Sequence, residues 1–399
     1  MSQARRVLIL GGGLAGLSFA IAIATENPEL EITLLEAQPF EAGTPNPLDT
    51  RGSALNLHSV TLLERWGLWS EMATRLGAIR DIHVSHRGHF GSALMTAEDL
   101  GVPALGYVAE NHELGRCLLE RAQALGVDVR APVRCAAIDA KVPSPVVITS
   151  DGEQMDADLV LIAAGVSSDW FQALGIEVKE RSVGNHAIVF NASFSGEQRG
   201  RAFERFTANG PLAVLPLPSL TRNEQRFNVV WSVPDKEVDS LTAMGEDLFR
   251  TRFQDVFGWR LGAVQAVGQR SRWPLVRRAA SELFRSGFLL VGNAAHTLHP
   301  VAGQGLNLSL REAALLAETL TVCRNDEQPL AALGNLKGYL NQVSAEQHFV
   351  TQSTDTLATL FDHRGPVLDA PRNASLTLLD LVPFARARVA SVGTGRRYG

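Results

Sequence analysis

Gly11, Gly13 and Gly16, followed by a carboxylate at Glu36, have the types and spacing for one kind of chemistry. Between a strand and a helix, the first glycine allows a tight turn and the second lets backbone approach a pyrophosphate. The third lets helix and strand pack closely. The helix N-terminus beyond them offers free N–H groups and a positive dipole to phosphate. Glu36, twenty positions after Gly16, can accept hydrogen bonds from ribose hydroxyls and repels a 2′-phosphate. FAD or NAD fits such a site; NADP is disfavoured. A second cluster comprises Gly292 and Asn293, then Pro300, Gly303, Gln304, Gly305, Leu306 and Asn307. Glycines ahead of a helix expose backbone N–H groups suited to an electron-rich ring edge or a phosphate. The same pattern also serves a plain strand-to-helix crossover. The stretch "GVSSD" (165–169) lacks the flanking glycines of a hydrolase elbow. Cys117, Cys135 and Cys323 are widely spaced and give neither a disulfide framework nor a metal-ligand pattern.

Elements must position these groups. Val7 to Leu10 read as a buried parallel strand, Leu17 to Thr25 as a small-residue helix ended by Glu26-Asn27-Pro28, and Ile32 to Leu35 as a second strand. The opening Arg5-Arg6 and the apolar run after it could also suggest an export signal. A signal needs neither three glycines in register nor an acid-terminated strand, so the nucleotide reading is preferred and the chain is expected in the cytoplasm. Residues 49–72 read as a loop and an amphipathic helix bearing Leu55, Val60, Leu62, Leu63 and Trp66. Residues 81–95 read as a hairpin, 111–125 as a helix, 133–150 as extended, and Leu159 to Ala163 as another buried strand. From 182 to 234 apolar and polar residues alternate as in antiparallel β-structure. Residues 240–258 read as helical, and 287–320 as strand, glycine-rich loop and helix.

A formal charge of −5, with 45% hydrophobic and 20% charged residues, describes an ordinary globular chain. It argues against a nucleic-acid partner, which calls for a basic face. No other stretch approaches the roughly 20 apolar residues that span a bilayer.

Four blocks in order carry a resemblance: the fingerprint at 11–36, "DTRGSAL" (49–55), "DLVLIAAGVSS" (158–168) and "GNAAHTLHPVAGQGLNLSLREA" (292–313). Together they resemble the class A flavin-dependent aromatic hydroxylases of the p-hydroxybenzoate hydroxylase type. "IHVSHRGHFG", "GRAFERFTANGPLAVLPLP" and "FGWRLG" look like the ubiquinone-biosynthesis branch, which hydroxylates prenylated methoxyphenols. The resemblance covers nearly the full chain. It implies an α/β fold: a Rossmann-like FAD-binding domain from 1–72, 101–180 and 275–345. An inserted antiparallel β-sheet substrate domain would come from 73–100 and 181–274, with a helical C-terminal segment at 346–399.

By the same resemblance, Gly11, Gly13, Gly16 and Glu36 hold the ADP half of FAD. Arg51 lies near the pyrophosphate and flavin, and Asn111 contacts the flavin. Asn293 stands where the wider family has an aspartate, and its amide preserves the acceptor. Pro300 to Asn307, including Gly303, Gln304, Gly305 and Leu306, form the loop beside the isoalloxazine ring, next to Gly292. Ala164-Gly165 departs from the family's Asp-Gly, an aspartate linked to nicotinamide use. The implied reaction uses NAD(P)H to reduce FAD and O₂ to form a C4a-hydroperoxyflavin that hydroxylates a prenylated phenol. A soluble aromatic substrate, or a flavoprotein scaffold without nicotinamide turnover, are the alternatives. A lipid-binding carrier, a pathway-enzyme complex and peripheral contact with the inner membrane are the expected partners. Histidines 86, 89, 296 and 299 are the side chains whose ordinary pKa lies nearest working pH; His296 reads as structural, His86 and His89 as surface, and no catalytic base is assigned.

Overall fold

The computed structural model describes residues 5–40, 51–88, 92–140, 144–165, 169–197, 199–218, 225–297, 304–325 and 328–362. Its first sheet has six strands, in the order Phe284–Arg285, Phe288–Leu290, Leu159–Ile162, Arg6–Leu10, Glu31–Leu35 and Asp128–Arg130. All neighbours are parallel except the first pair. Val7 to Leu10, Leu159 to Ile162 and Phe288 to Leu290 are wholly buried, as continuous aliphatic runs are when both faces of a parallel sheet are covered. The helix Leu14–Glu26 is buried from Gly16 to Ala24 because small residues let it pack against the helix Gln304–Asn325. Asn27 closes it: its side chain donates to Ala317 O (3.0 Å) and accepts from Thr321 Oγ1 (3.0 Å).

The second sheet has nine strands. Val178–Phe194 and Gln225–Pro234 form its centre, followed by Gly210–Pro216, Arg201–Thr207, Asp81–His86 and Ser92–Thr96. Pairing is antiparallel except between Arg201–Thr207 and Asp81–His86. One face carries an aromatic core. Phe190, Phe194, Phe203 and Phe227 meet Phe249, Phe253 and Phe257 of the helix Glu246–Phe257, with edge-to-face centroids at 5.0 Å for Phe190–Phe249. A small sheet of Gly52–Asn56, Gly106–Glu110 and Gly77–Ile79 lies between the two large ones, in contact with both.

Three local expectations change. Gly52–Asn56 is a strand rather than loop, paired with Gly106–Glu110, so Leu55 sits in a sheet and not on the helix face. "GSALN" has no β-branched run, and its pairing is dictated by the sheet it joins. The helix Leu57–Arg65 then starts from Asn56, whose Oδ1 accepts from Ser59 N–H (2.9 Å). The single helix expected at 240–258 is two, Asp235–Ala243 and Glu246–Phe257, with Met244 and Gly245 extended between them. Ser271–Ala280, for which the sequence pattern gives no element, pairs with Val178–Phe194 and carries the second sheet past residue 274. Among the described residues no helix is long and apolar enough to cross a membrane. Residues 363–399 lie outside the described part.

Candidate cofactor site

The carboxyl ends of three adjacent parallel strands form one edge. Ala163 N–H donates to Leu10 O (2.8 Å) and Val291 N–H to Ile162 O (3.0 Å), so the turns after Leu10, Ile162 and Leu290 lie side by side. Ligands of open α/β sheets bind in the crevice at such ends. Gly11 turns with φ +107°, and a Cβ there would meet the Ala163 carbonyl at 2.8 Å. A Cβ on Gly16 would run into the Gly11 carbonyl oxygen. On Gly13 it would meet nothing within 4 Å; this residue is exposed and caps the helix that starts at Leu14. Two glycines thus serve packing and the middle one leaves open space at a helix N-terminus, the geometry a pyrophosphate requires. Glu36 is held ready beside it: Oε2 accepts from Gly12 N–H (2.6 Å) and Oε1 from Gln38 N–H (2.8 Å). Each oxygen keeps a lone pair for a ribose hydroxyl.

The late turn meets the early one. Gly292 has φ +58°, and a Cβ there would come within 2.9 Å of Ala15 Cβ, at the start of the fingerprint helix. Asn293 next to it is exposed. Pro300 and Gly303 lie outside the described residues. Gln304, Gly305, Leu306 and Asn307 belong to the first turn of the helix Gln304–Asn325 rather than to a loop. No neighbour lies within 4 Å of a Cβ on Gly305, and Leu306 packs against the core. Asn307 is 1% exposed and turned inward. Its Oδ1 accepts from Asn56 N–H (2.9 Å) and Ser59 Oγ (2.7 Å), and its Nδ2 donates to Ala54 O (2.7 Å). Its side chain therefore fixes this helix to the strand Gly52–Asn56, which also carries the backbone away from Arg51.

Behind the late turn lies a buried pair that the sequence reading missed. Glu312 accepts from Gln347 Nε2 (2.9 Å) and from the Gly292 backbone, and burial pushes its carboxyl up to about 8. His296 Nδ1 stands 3.8 Å from Glu312 Oε1; burial lowers its imidazole to about 4, so it is held neutral. Both ring nitrogens of His296 are sealed without a hydrogen-bond partner among the described residues. The thiols of Cys117 and Cys135 are pushed up by burial to about 12 and 11, in keeping with inert packing.

Arg51 and Asn111 are neighbours, Asn111 N–H donating to Arg51 O (2.7 Å) and Asn111 Oδ1 accepting from Ser53 Oγ (2.7 Å). The Arg51 guanidinium lies over the Trp273 ring, 5.1 Å from its centroid, which links it to the second sheet. Gly52 approaches the same sheet: a Cβ there would be 3.2 Å from Asn228 Cγ. The sheet face turned away from the aromatic core carries Val189, Val230, Ala213, Glu204 and Val84 in one cross-strand row, all half-buried. Glu204 Oε1 is sealed from solvent with no hydrogen-bond partner among the described residues. The sequence reading passed it over because "AFERFT" alternates as an ordinary strand with its acid facing water. Arg226, fully buried on this face, pairs with Glu110 (3.1 Å) at the start of the helix Asn111–Ala124.

Comparison with known proteins agrees with this geometry. The FAD binding domain family matches residues 4–333. Ubiquinone hydroxylase UbiL of Rhodospirillum rubrum is 31% identical, covering 98% of this chain and 86% of that one. The 3-demethoxyubiquinol 3-hydroxylase of Escherichia coli is 28% identical over 94% of each. Among solved structures, p-nitrophenol 4-monooxygenase PnpA from Pseudomonas putida superposes with a TM-score of 0.79 at 19% identity, covering the whole of both chains. PqsL of P. aeruginosa gives 0.77 at 22%, covering 94% of this chain and 99% of that one. These structures share its fold, a Rossmann-like FAD-binding part of the p-hydroxybenzoate hydroxylase type joined to a β-sheet. With the glycine turns of the early and late strands converging on one crevice, the chain belongs to the FAD binding domain family and takes FAD as its cofactor.

Proposed function

We propose that this chain is an FAD-dependent monooxygenase that hydroxylates a prenylated phenol on the ubiquinone pathway, with NAD(P)H and O₂ as co-substrates. The observation that carries the reading is the convergence of Gly11–Gly16 and Gly292 on one crevice, with Arg51 reaching from there to the second sheet. The near full-length likeness to proteins named as ubiquinone-pathway hydroxylases supports the substrate class.

Gly11, Gly13, Gly16 and Glu36 would hold the ADP half, through the open space at Gly13 and the free lone pairs of Glu36. Arg51, with a charge-assisted bond to phosphate, and Asn111 would flank the middle of the cofactor. Gly292, the exposed amide of Asn293 and the segment Pro300, Gly303, Gln304 and Gly305 would face its ring, while Leu306 and Asn307, packed inward, would hold that segment in place. Bound FAD supplies hydride storage and oxygen activation. The chain's own contribution is placement and exclusion of water: backbone N–H groups, a fixed helix N-terminus and an apolar sheet face opposite. Residues 1–72, 101–180 and 275–345 are assigned to the cofactor side and 73–100 with 181–274 to the substrate side, the strand Ser271–Ala280 spanning that last boundary. Peripheral membrane contact, or delivery by a lipid-binding carrier or pathway-enzyme complex, follows from a prenylated substrate.

The test uses the yellow holoenzyme. Oxidation of NADH or NADPH should be stimulated by a short-chain prenylated phenol and not by hydroxybenzoate, with the hydroxylated ring recovered. Stimulation by hydroxybenzoate alone would transfer the assignment to a soluble aromatic. Flavin that neither nicotinamide bleaches would leave the reaction without electrons and defeat the proposal, an outcome toward which Ala164 would then point.

A further inference from the structure

The reaction proposed above needs an apolar wall for its phenol, and the face of the second sheet turned away from the aromatic core carries a carboxylate, Glu204, whose Oε1 is sealed with no hydrogen-bond partner among the described residues. Residues two apart along a strand share a face, and neighbouring strands lie about 4.8 Å apart. Glu204 therefore stands in a row with Ala213 and Val230 on one side and Val84 on the other. The next row along contains Asn228, against which Gly52 packs, one residue from Arg51. The opposite face of the same strands is closed by the aromatic core, so this row lies on the side where the small sheet packs and where Gly52 approaches Asn228. Every residue of the row is half-buried, in contrast to the fully buried Phe203, Leu212, Val214 and Val229 that alternate with them. Such a strip is neither packed core nor solvated surface. It is an apolar wall with a single ionisable group set into it.

Structural carboxylates in interiors are paired or hydrogen-bonded, because an isolated buried charge is costly. Arg226–Glu110 on this face follows that rule; Glu204 does not, its Oε1 being both sealed and unpartnered among the described residues. We propose that Glu204 is the catalytic base of the reaction, accepting the hydrogen bond and then the proton of the substrate's phenolic hydroxyl. This rests on the proposed phenol hydroxylation. The phenol O–H bond breaks and its electron pair stays on the ring oxygen. An O–H bond forms on the carboxylate, and the negative charge passes from Glu204 to the phenolate. Proton return on product release restores both groups. A ring bearing an oxyanion is the more electron-rich partner for an incoming electrophilic oxygen. Desolvation alone pushes Glu204 up to about 7, which brings its basicity close to working pH, where a general base is most effective. Free phenols ionise near 10. The apolar neighbours Val84, Ala213 and Val230 suit the rest of a prenylated ring.

The experiment is a pH profile of turnover of a short-chain prenylated phenol by the holoenzyme, with its Kd measured in parallel. Other ionisable groups on this face are His86, Arg51 and the Arg226–Glu110 pair; all persist in the variants and cancel in the comparison. Wild-type kcat should rise with pH to a plateau through one ionisation near 7, well below the pH at which the free phenol ionises, the Glu204 carboxylate being the active form. Glu204→Gln should bind the phenol with Kd within about threefold, lose the rise of kcat with pH near 7, and lose kcat at neutral pH by about 100-fold or more, turnover returning only where the bound phenol itself ionises. Glu204→Asp should regain part of both signals. Flavin content and Tm report folding; losing an unpartnered carboxylate should leave Tm at pH 8 equal or higher. Equal kcat and the same pH profile in wild type and Glu204→Gln would overturn the role of Glu204 while leaving the hydroxylase reading intact. Failure of the wild-type holoenzyme to bind or hydroxylate any prenylated phenol would overturn that reading, and this inference with it.

Discussion

At the scale of single residues, the three fingerprint glycines do different jobs and should fail differently. A side chain on Gly16 meets the Gly11 carbonyl, whereas one on Gly13 meets open space. Gly16→Val is expected to abolish folding or drop Tm sharply, because backbone cannot move aside without separating helix from strand. Gly13→Val should fold with Tm close to that of the wild-type apoprotein yet purify colourless, its side chain occupying the pyrophosphate position. Differential scanning fluorimetry beside the visible spectrum separates the two; a yellow Gly13→Val protein would remove the fingerprint from the cofactor site. These roles were legible from spacing because local backbone geometry dictates them. Glu204 and Glu312 were not. A carboxylate in a strand or helix reads as solvent-facing unless its neighbours in space are known, and here those neighbours come from other strands and from Gln347.

Elements come next, and their joints are polar. Asn307 binds three groups of the segment Ala54 to Ser59, and Arg226 in the strand Gln225–Pro234 reaches Glu110, where the helix Asn111–Ala124 begins. Breaking a buried ion pair by removing one partner leaves the other charge uncompensated, a cost of about 3–5 kcal/mol. Arg226→Met should therefore lower the unfolding free energy by that much, read as a lower denaturant midpoint at unchanged m. Adding Glu110→Gln should restore much of the loss, since the stranded charge is gone. Additive losses in the double variant would mean the two side chains act separately. Most elements were readable from periodicity: the strand Arg6–Leu10, the helix Leu14–Glu26 and the alternating strands between Val178 and Pro234 follow it closely. Gly52–Asn56 and Ser271–Ala280 escaped because neither alternates cleanly, the first holding small residues and the second a proline at 274. Their extended form is enforced by partners rather than by propensity.

For the whole molecule, the cofactor crevice sits where the parallel sheet, the small bridging sheet and the nine-stranded sheet meet. A ligand that binds only the folded chain stabilises it by RT ln(1 + [L]/Kd), about 2.7 kcal/mol at a hundred times Kd. Added FAD should raise the unfolding free energy of the apoprotein by about that amount in one transition followed by both far-UV and tryptophan signals. Two separate transitions, only one of which moves with FAD, would mean that the sheets do not share the site.

By itself the chain's order of residues determined that a dinucleotide binds, with what backbone chemistry, and in which class of α/β fold. Those features depend on contacts within some thirty consecutive positions, where glycine freedom, helix dipole and aliphatic runs act locally. Tertiary structure alone decided that Gly292 lies against Ala15, that Asn307 and His296 face inward, and that Glu204 stands among Val84, Ala213 and Val230 with a sealed oxygen. Each of these is a matter of which strand lies next to which. Burial and desolvation depend on that adjacency, and chain spacing does not record it.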